Sequence, residues 1–131
     1  MSSVQTNLPG GVTASVPDRA RVLIIGGGIN GASLLYHLAH EGWTDTLLVE
    51  KAELTSGSTW HAAGQVTHSV SSYTLGNFRK YACELYASLP EESGIATSWH
   101  KSGSFRIAYH DVEVDWLRAQ LGVAEYVGNR M

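Results

Sequence analysis

The sequence predicts an α/β fold that contains a Rossmann-like βαβ unit, and three observations indicate it. A short apolar run at residues 21–25 (RVLII) leads into three consecutive glycines. Apolar residues with helical spacing follow, and a second apolar run ends at Glu50. This order of strand, glycine turn, helix and strand spans about 30 residues, the size of one right-handed βαβ unit. Two parallel strands and one helix bury too little for a doubly wound sheet, so the predicted fold is incomplete.

Composition and charge narrow the class of protein. The chain has 131 residues, of which 44% are hydrophobic and 16% charged, as in a globular protein of about one domain. The net charge is only −3 and the basic residues are scattered, so no nucleic-acid partner is expected. The single cysteine, Cys83, cannot form an internal disulfide or a CxxC motif and is interpreted as a packing residue.

Residues 1–19 are rich in small polar residues, proline and glycine. They predict a flexible N-terminal arm, neither a secretory signal nor an Arg-rich transit peptide. The apolar stretch from Val22 to Ala39 is interrupted by glycines, Asn30 and His37, so no membrane span is expected. The expected location is the cytoplasm, or the mitochondrial matrix in a eukaryote, with no clear transit peptide.

The elements of the βαβ unit follow from local patterns. Residues 21–25 form a short, continuous run rich in β-branched residues, typical of a strand that is buried on both faces. Residues 29–41 have the apolar spacing of a helix, and Gly42 is a natural helix stop. Residues 46–50 predict the second strand.

The glycine turn matches the GxGxxG pattern of dinucleotide-binding proteins. Gly26 permits the tight turn, Gly28 lets the backbone approach a pyrophosphate, and Gly31 lets the helix pack close to the strand. The helix then begins at Ile29 and Asn30, where unpaired N–H groups and a partial positive charge favour phosphate binding.

Glu50 completes this pattern at the end of the second strand, roughly 20 residues after the last glycine, and Lys51 follows it. A carboxylate there can accept hydrogen bonds from both ribose hydroxyls and would repel a 2′-phosphate, so NADP is disfavoured. FAD and NAD present the same ADP half to such a unit, so both remain open at this point.

The following segment, residues 53–64 (ELTSGSTWHAAG), favours a flavin. It emerges at the carboxyl ends of the strands, where the cofactor lies in this class of fold. Ser58 and Thr59 offer hydroxyls to a pyrophosphate, although both are equally good helix N-caps. Ala62 and its small neighbours leave room for a flat ring, and Trp60 is interpreted as a packing wall.

The sequence resembles the FAD-dependent amine oxidoreductases of the dimethylglycine and sarcosine dehydrogenase type, within the D-amino-acid oxidase-like superfamily. The resemblance runs from about Val22 to the end and is sharpest in VLIIGGGINGASLLYHLA, LLVEK and ELTSGSTWHAAG. It implies that His61 bonds covalently to the flavin. The alternative is an imidazole that only hydrogen-bonds near the cofactor.

The resemblance implies that the chain is the N-terminal fragment of an enzyme that oxidises the C–N bond of N-methylated glycines or related amines. The implied cofactor is FAD, and the implied partners are a small-molecule amine and folate, the latter through a C-terminal module outside this chain. Two alternatives stay open: a catalytically silent nucleotide-binding module and an NAD-linked dehydrogenase. No catalytic residue is predicted.

The predicted domains are the arm, the βαβ unit with its flavin-contacting segment at 20–70, and the start of an α+β substrate domain at 71–131. In the partial substrate domain, a helix is predicted at 73–89 and is ended by Pro90. Its apolar stripe consists of Leu75, Phe78, Ala82, Leu85 and Leu89. A strand is predicted at 104–109, before a helix capped by Asp111 and weakened or ended by Gly122, with Val114, Leu117, Leu121 and Ala124 on one face. The scattered histidines have no carboxylate or cysteine cluster beside them, so no metal is expected.

Overall fold

The computed structural model describes residues 5–7, 13–68 and 72–129. Its elements, in chain order, are β1 (Gln5–Asn7), β2 (Thr13–Ser15), β3 (Val22–Ile25), α1 (Ile29–His40), β4 (Thr46–Val49), α2 (Tyr73–Ser93) and α3 (Asp111–Tyr126). The chain divides into two compact units, Met1–Ala63 and Gly64–Met131.

The first unit contains the predicted βαβ arrangement. Strands β3 and β4 pair in parallel, from Val22 opposite Thr46 to Ile25 opposite Val49. Helix α1 connects them and contacts both strands. It ends at His40, one residue earlier than predicted, and Gly42 has a φ of +82°, which a glycine adopts without steric cost. The small parallel sheet agrees with the prediction of an incomplete α/β fold.

The prediction that the first strand is buried on both faces is wrong for the described chain. Ile24 is buried and its Cγ2 atom lies close to Gly31 of α1, whereas Ile25 is 82% exposed. Side chains alternate between the two faces of a strand, and α1 covers only the face that carries Ile24. The opposite face, with Leu23 and Ile25, has no covering layer among the described residues.

Two short strands that the sequence did not predict lie within the N-terminal arm. Strands β1 and β2 pair antiparallel, with Gln5 opposite Ser15 and Asn7 opposite Thr13.

In the second unit, α2 begins where the sequence predicts but continues past Pro90. The Ser72 hydroxyl caps its start by accepting a hydrogen bond of 3.3 Å from the N–H of Leu75. The prediction that Pro90 ends the helix is wrong, since Pro90 lies inside the last turn. The helix ends instead at Gly94, which has a φ of +71° and donates its N–H to the Pro90 carbonyl at 3.0 Å. A left-handed glycine stops a helix more effectively here than a proline.

The buried side of α2 differs from the predicted stripe. Leu75 and Phe78 are exposed, and Ala82, Leu85 and Leu89 are half-buried. The buried residues are Gly76 and Cys83, two turns apart. The interpretation of Cys83 as a packing residue is therefore confirmed.

Helix α3 begins at Asp111, so the cap position belongs to His110 and the predicted cap at Asp111 is wrong. The Glu113 carboxylate fixes this end because it accepts hydrogen bonds from the N–H groups of Tyr109, at 2.6 Å, and His110, at 3.2 Å. Gly122 lies within the helix and does not end it.

The core of the second unit is small. Ala124 is fully buried and packs with Val127, beside the partly buried Val123. On the predicted apolar face of α3, Val114 and Leu117 are half-buried, whereas Leu121 is exposed.

The predicted strand at 104–109 is also wrong. These residues are irregular, and Phe105 is 97% exposed. A strand needs a partner for its backbone hydrogen bonds, and no described residue pairs with this segment.

Candidate functional site

The glycine turn between β3 and α1 has the geometry that its pattern predicts at two positions. Gly26 has a φ of +108°, which side chains of L-residues rarely allow. Its N–H donates to the Val49 carbonyl at 2.8 Å and so ties the turn to the end of β4. A Cβ on Gly31 would overlap the carbonyl oxygen of Gly26, so the close packing of α1 on the strand requires a glycine there.

Gly28 has a neighbour that the sequence pattern did not reveal. A Cβ at this position would lie 3.0 Å from the Thr59 hydroxyl oxygen. The absence of a side chain at Gly28 therefore allows Thr59 to approach the turn. The predicted role of Gly28, to let the backbone approach a pyrophosphate, stays a prediction.

Glu50 lies at the carboxyl end of β4 and is bonded to the glycine turn. One carboxylate oxygen accepts a hydrogen bond of 2.6 Å from the N–H of Gly27, and the other accepts one of 3.1 Å from the N–H of Ala52. The Gly27 bond, followed by the Ala52 bond, holds the pKa of the Glu50 carboxyl below its ordinary value. The carboxylate is thus kept ionised where an acceptor for ribose hydroxyls is predicted.

Gly27 is the residue of this site that the sequence analysis missed. It is buried, it donates to Glu50, and a Cβ there would lie 2.5 Å from Leu54 Cδ2. The GxGxxG pattern leaves its second position unspecified, so the only signal for Gly27 is that it is the middle one of three consecutive glycines.

A shallow cavity of about 460 Å³ opens beside the turn. It is lined by Ile25, Gly26, Val49, Glu50 and Lys51, so it lies at the carboxyl ends of both parallel strands. Ligands of open α/β sheets bind at this edge.

The segment that follows Glu50 returns to the glycine turn. The N–H of Thr55 donates to the Gly27 carbonyl at 3.0 Å, and the Thr59 hydroxyl accepts from the N–H of Ile29 at 3.0 Å. Residues 54–61 form turns, so neither Ser58 nor Thr59 caps a helix of its own segment. Thr59 instead caps α1.

His61 and Trp60 lie at the end of these turns. The Nδ1 atom of His61 is 3.1 Å from the Gly57 carbonyl oxygen, and the imidazole is exposed, as is Ala62. Trp60 is 77% exposed, so it does not form a packing wall against the described chain.

The first turn of α1 fits an anionic group. Within the described ranges, the N–H groups of Gly28 and Asn30 have no protein acceptor. A negative charge near a helix N-terminus is favourable. The Glu50 carboxylate is bonded to the N–H of Gly27, the neighbouring turn residue, and not to these two N–H groups. The structure thus brings together Gly26, Gly28, Ile29, Asn30, Gly31, Glu50, Lys51 and Thr59, with Ser58, His61 and Ala62 on the same attached segment.

A parallel βαβ unit with this glycine turn and this acid defines the dinucleotide-binding class of α/β proteins. The sequence profile of the family described as "DAO: FAD dependent oxidoreductase" matches residues 21–131. The chain therefore belongs to the FAD-dependent oxidoreductase family.

Three relatives show the range of similar proteins. Human mitochondrial dimethylglycine dehydrogenase is 46% identical over 79% of the chain. The formaldehyde-forming 4-methylaminobutanoate oxidase of Paenarthrobacter nicotinovorans is 40% identical over 88%, and human mitochondrial sarcosine dehydrogenase is 33% identical over 90%. The matched region covers only 12%, 14% and 13% of these relatives, respectively. The predicted resemblance to the dimethylglycine and sarcosine dehydrogenases is confirmed.

Other features of the described residues lie outside this site. No group of three or more His, Cys, Asp or Glu residues in the described ranges is placed to hold a metal ion. His37, on α1, has its Nδ1 atom 2.6 Å from the Ser33 carbonyl oxygen. None of the helices described is both long and apolar enough to cross a membrane.

Proposed function

We propose that this chain is the FAD-binding N-terminal part of an oxidoreductase that oxidises the C–N bond of an N-methylated glycine or a related secondary or tertiary amine. The observation that carries the proposal is the attachment of residues 55–59 to the glycine turn by two hydrogen bonds. This attachment keeps the segment with His61 beside the turn at which dinucleotides bind in this class. The names of the three relatives support an N-methylated amine as the substrate class.

Each part of the site has a proposed role toward FAD. The free N–H groups at the start of α1, with Gly26 and Gly31 setting the turn, would bind the pyrophosphate. Glu50 would accept hydrogen bonds from the ribose, with Lys51 beside it, and the small residues around Ala62 would face the ring. When bound, FAD would supply the hydride acceptor for oxidation of the carbon attached to the amine nitrogen.

His61 is proposed as the covalent attachment of the flavin. The exposed imidazole supports this role, because one ring nitrogen, Nε2, is left for bonding when Nδ1 contacts the Gly57 carbonyl.

A location in the mitochondrial matrix is a further proposal, supported by the word "mitochondrial" in the names of the two human relatives. The folate module stays a prediction from the resemblance.

Acid precipitation of the purified chain tests the proposal. FAD is added, the protein is denatured in acid, and flavin fluorescence is measured in the pellet and the supernatant. Flavin is expected in the pellet of the unmodified chain and of His100→Ala, whose exposed imidazole lies in the second unit. His61→Ala should release all flavin to the supernatant.

Three results would contradict parts of the proposal. Flavin that leaves the unmodified chain on denaturation would disprove the covalent bond but not FAD binding. No flavin before denaturation would favour the silent module, and nicotinamide binding without a flavin spectrum would favour the NAD-linked dehydrogenase.

The amine class is tested on the complete gene product, in which N,N-dimethylglycine or sarcosine should bleach bound flavin anaerobically and glycine should not.

A further inference from the structure

Thr59 joins the flavin-contacting segment to the first turn of α1. Its hydroxyl oxygen accepts a hydrogen bond of 3.0 Å from the N–H of Ile29, a residue 30 positions earlier. Ile29 is the first residue of α1, and its N–H is one of the donors at a helix start that have no partner within the helix. Thr59 therefore supplies from a distant segment an acceptor for this N–H, which the cap residue Gly28, without a side chain, does not supply.

A second attachment lies four residues before Thr59. The N–H of Thr55 donates to the Gly27 carbonyl at 3.0 Å, and Thr55 has a φ of +64°. A β-branched residue in the left-handed region is strained, so the surrounding contacts must hold it there. The segment 55–59 is thus fixed to the turn at both ends.

His61 follows this fixed segment by two residues. Its backbone N–H donates to the Ser58 carbonyl at 3.2 Å, and its Nδ1 atom is 3.1 Å from the Gly57 carbonyl oxygen. The position of the imidazole is therefore determined by residues 57–59. Any movement of Thr59 away from α1 would carry His61 with it.

We infer that Thr59 is a positioning residue whose hydroxyl sets the spacing between the glycine turn and His61. This inference rests on the proposed function, in which the turn binds the pyrophosphate of FAD and His61 lies beside its ring. The hydroxyl acts through the protein, so its loss affects binding of a ligand that reaches from the turn to His61 more than binding of ADP alone. The β-branched side chain restricts χ1 and thereby the direction of the hydroxyl.

Four forms of the whole chain test the inference. Thr59→Val keeps the branched shape but removes the acceptor, and Thr59→Ser keeps the acceptor. Thr67→Val is the control, because Thr67 is exposed and lies in the second unit. For each form, the hydrogen exchange rate of the Ile29 amide is measured without ligand. The Kd is then measured for ADP and, in the reversible phase that precedes any covalent bond, for FAD.

Thr59→Val should exchange the Ile29 amide about fivefold faster, the effect of losing a typical helix cap. Its Kd for FAD should rise about fivefold while its Kd for ADP changes less than about twofold. Thr59→Ser keeps the acceptor and should lie closer to the unmodified chain than Thr59→Val in both measurements, and Thr67→Val should match the unmodified chain.

Unchanged Ile29 exchange in Thr59→Val would overturn the inference, as would equal losses of FAD and ADP affinity. If the unmodified chain binds FAD in either case, the proposed function stands. If the unmodified chain binds neither nucleotide, the proposed function itself is overturned, and the positioning role with it.

Discussion

The carboxylate of Glu50 accepts a hydrogen bond of 2.6 Å from the backbone N–H of Gly27. The residue proposed to bind the ribose is thus fixed by the turn proposed to bind the pyrophosphate. The second carboxylate oxygen is held by the N–H of Ala52. Because each oxygen has two lone pairs, both can still accept a further hydrogen bond from a ligand. The carboxylate is oriented before any ligand arrives.

The first prediction concerns the pH dependence of this contact. The folded state lowers the pKa of Glu50, so the contact stabilises the fold above the unfolded pKa, and its contribution is lost as the pH falls through the folded pKa. The Tm of the unmodified chain should therefore exceed that of Glu50→Gln at pH 7. This difference should shrink steadily once the pH falls below the ordinary pKa of a glutamate. Scanning calorimetry between neutral and acid pH measures it.

Glu53→Gln is the matched control for this experiment. Glu53 is exposed and lies on the same segment, and its carbonyl rather than its carboxylate bonds Ser56. Its substitution should leave the Tm nearly unchanged at every pH. A Tm difference for Glu50→Gln that is constant across the pH range would show that the charge of Glu50 plays no part in stability.

The second prediction compares two glycines that both lie within helices. Gly31→Ala should lower the free energy of unfolding by about 1–3 kcal/mol or more, because the new Cβ would overlap the Gly26 carbonyl. Gly122→Ala should raise it by about 0.5–1 kcal/mol, because no atom lies within 4 Å of the new Cβ and alanine favours a helix. Urea denaturation of the two variants measures both effects. Equal effects would contradict the close packing of α1 on β3.

Sequence predicted the βαβ unit well because its signals are local. The apolar runs of β3 and β4, the helical spacing of α1 and the glycines between them all occur within about 30 residues. The contact of Thr59 with Ile29 could not be predicted in the same way. A threonine near small residues suits a cap, a phosphate contact or a turn, and only the folded chain shows that it caps a helix 30 residues away.

The second unit was predicted less well, for two physical reasons. Residues 104–109 have strand-like composition, but β-propensity depends on a neighbouring strand, and none is present among the described residues. Pro90 was expected to end α2, yet a proline in the last turn costs one backbone hydrogen bond and the helix continues to Ser93. Both elements depend on contacts that propensity does not encode.

The third prediction concerns this end of α2. Gly94→Ala should reduce the free energy of unfolding by about 1–2 kcal/mol, because alanine is disfavoured at a φ of +71°. Gly94→Asn should cost less, since asparagine tolerates the left-handed region. Urea denaturation followed by circular dichroism measures the difference. If alanine and asparagine have the same effect, the left-handed conformation is not what ends the helix.

The fourth prediction concerns the buried thiol of α2. Cys83 is 4% exposed, its Sγ atom lies 3.8 Å from the Val66 carbonyl oxygen, and burial raises the pKa of the thiol. Both burial and the lower thiolate fraction should slow reaction with Ellman's reagent, so the folded chain should react roughly tenfold or more slowly than the urea-denatured chain at pH 7. The folded rate should increase with pH as more thiolate forms. Equal rates in the folded and denatured chains would mean that α2 does not bury this face in solution.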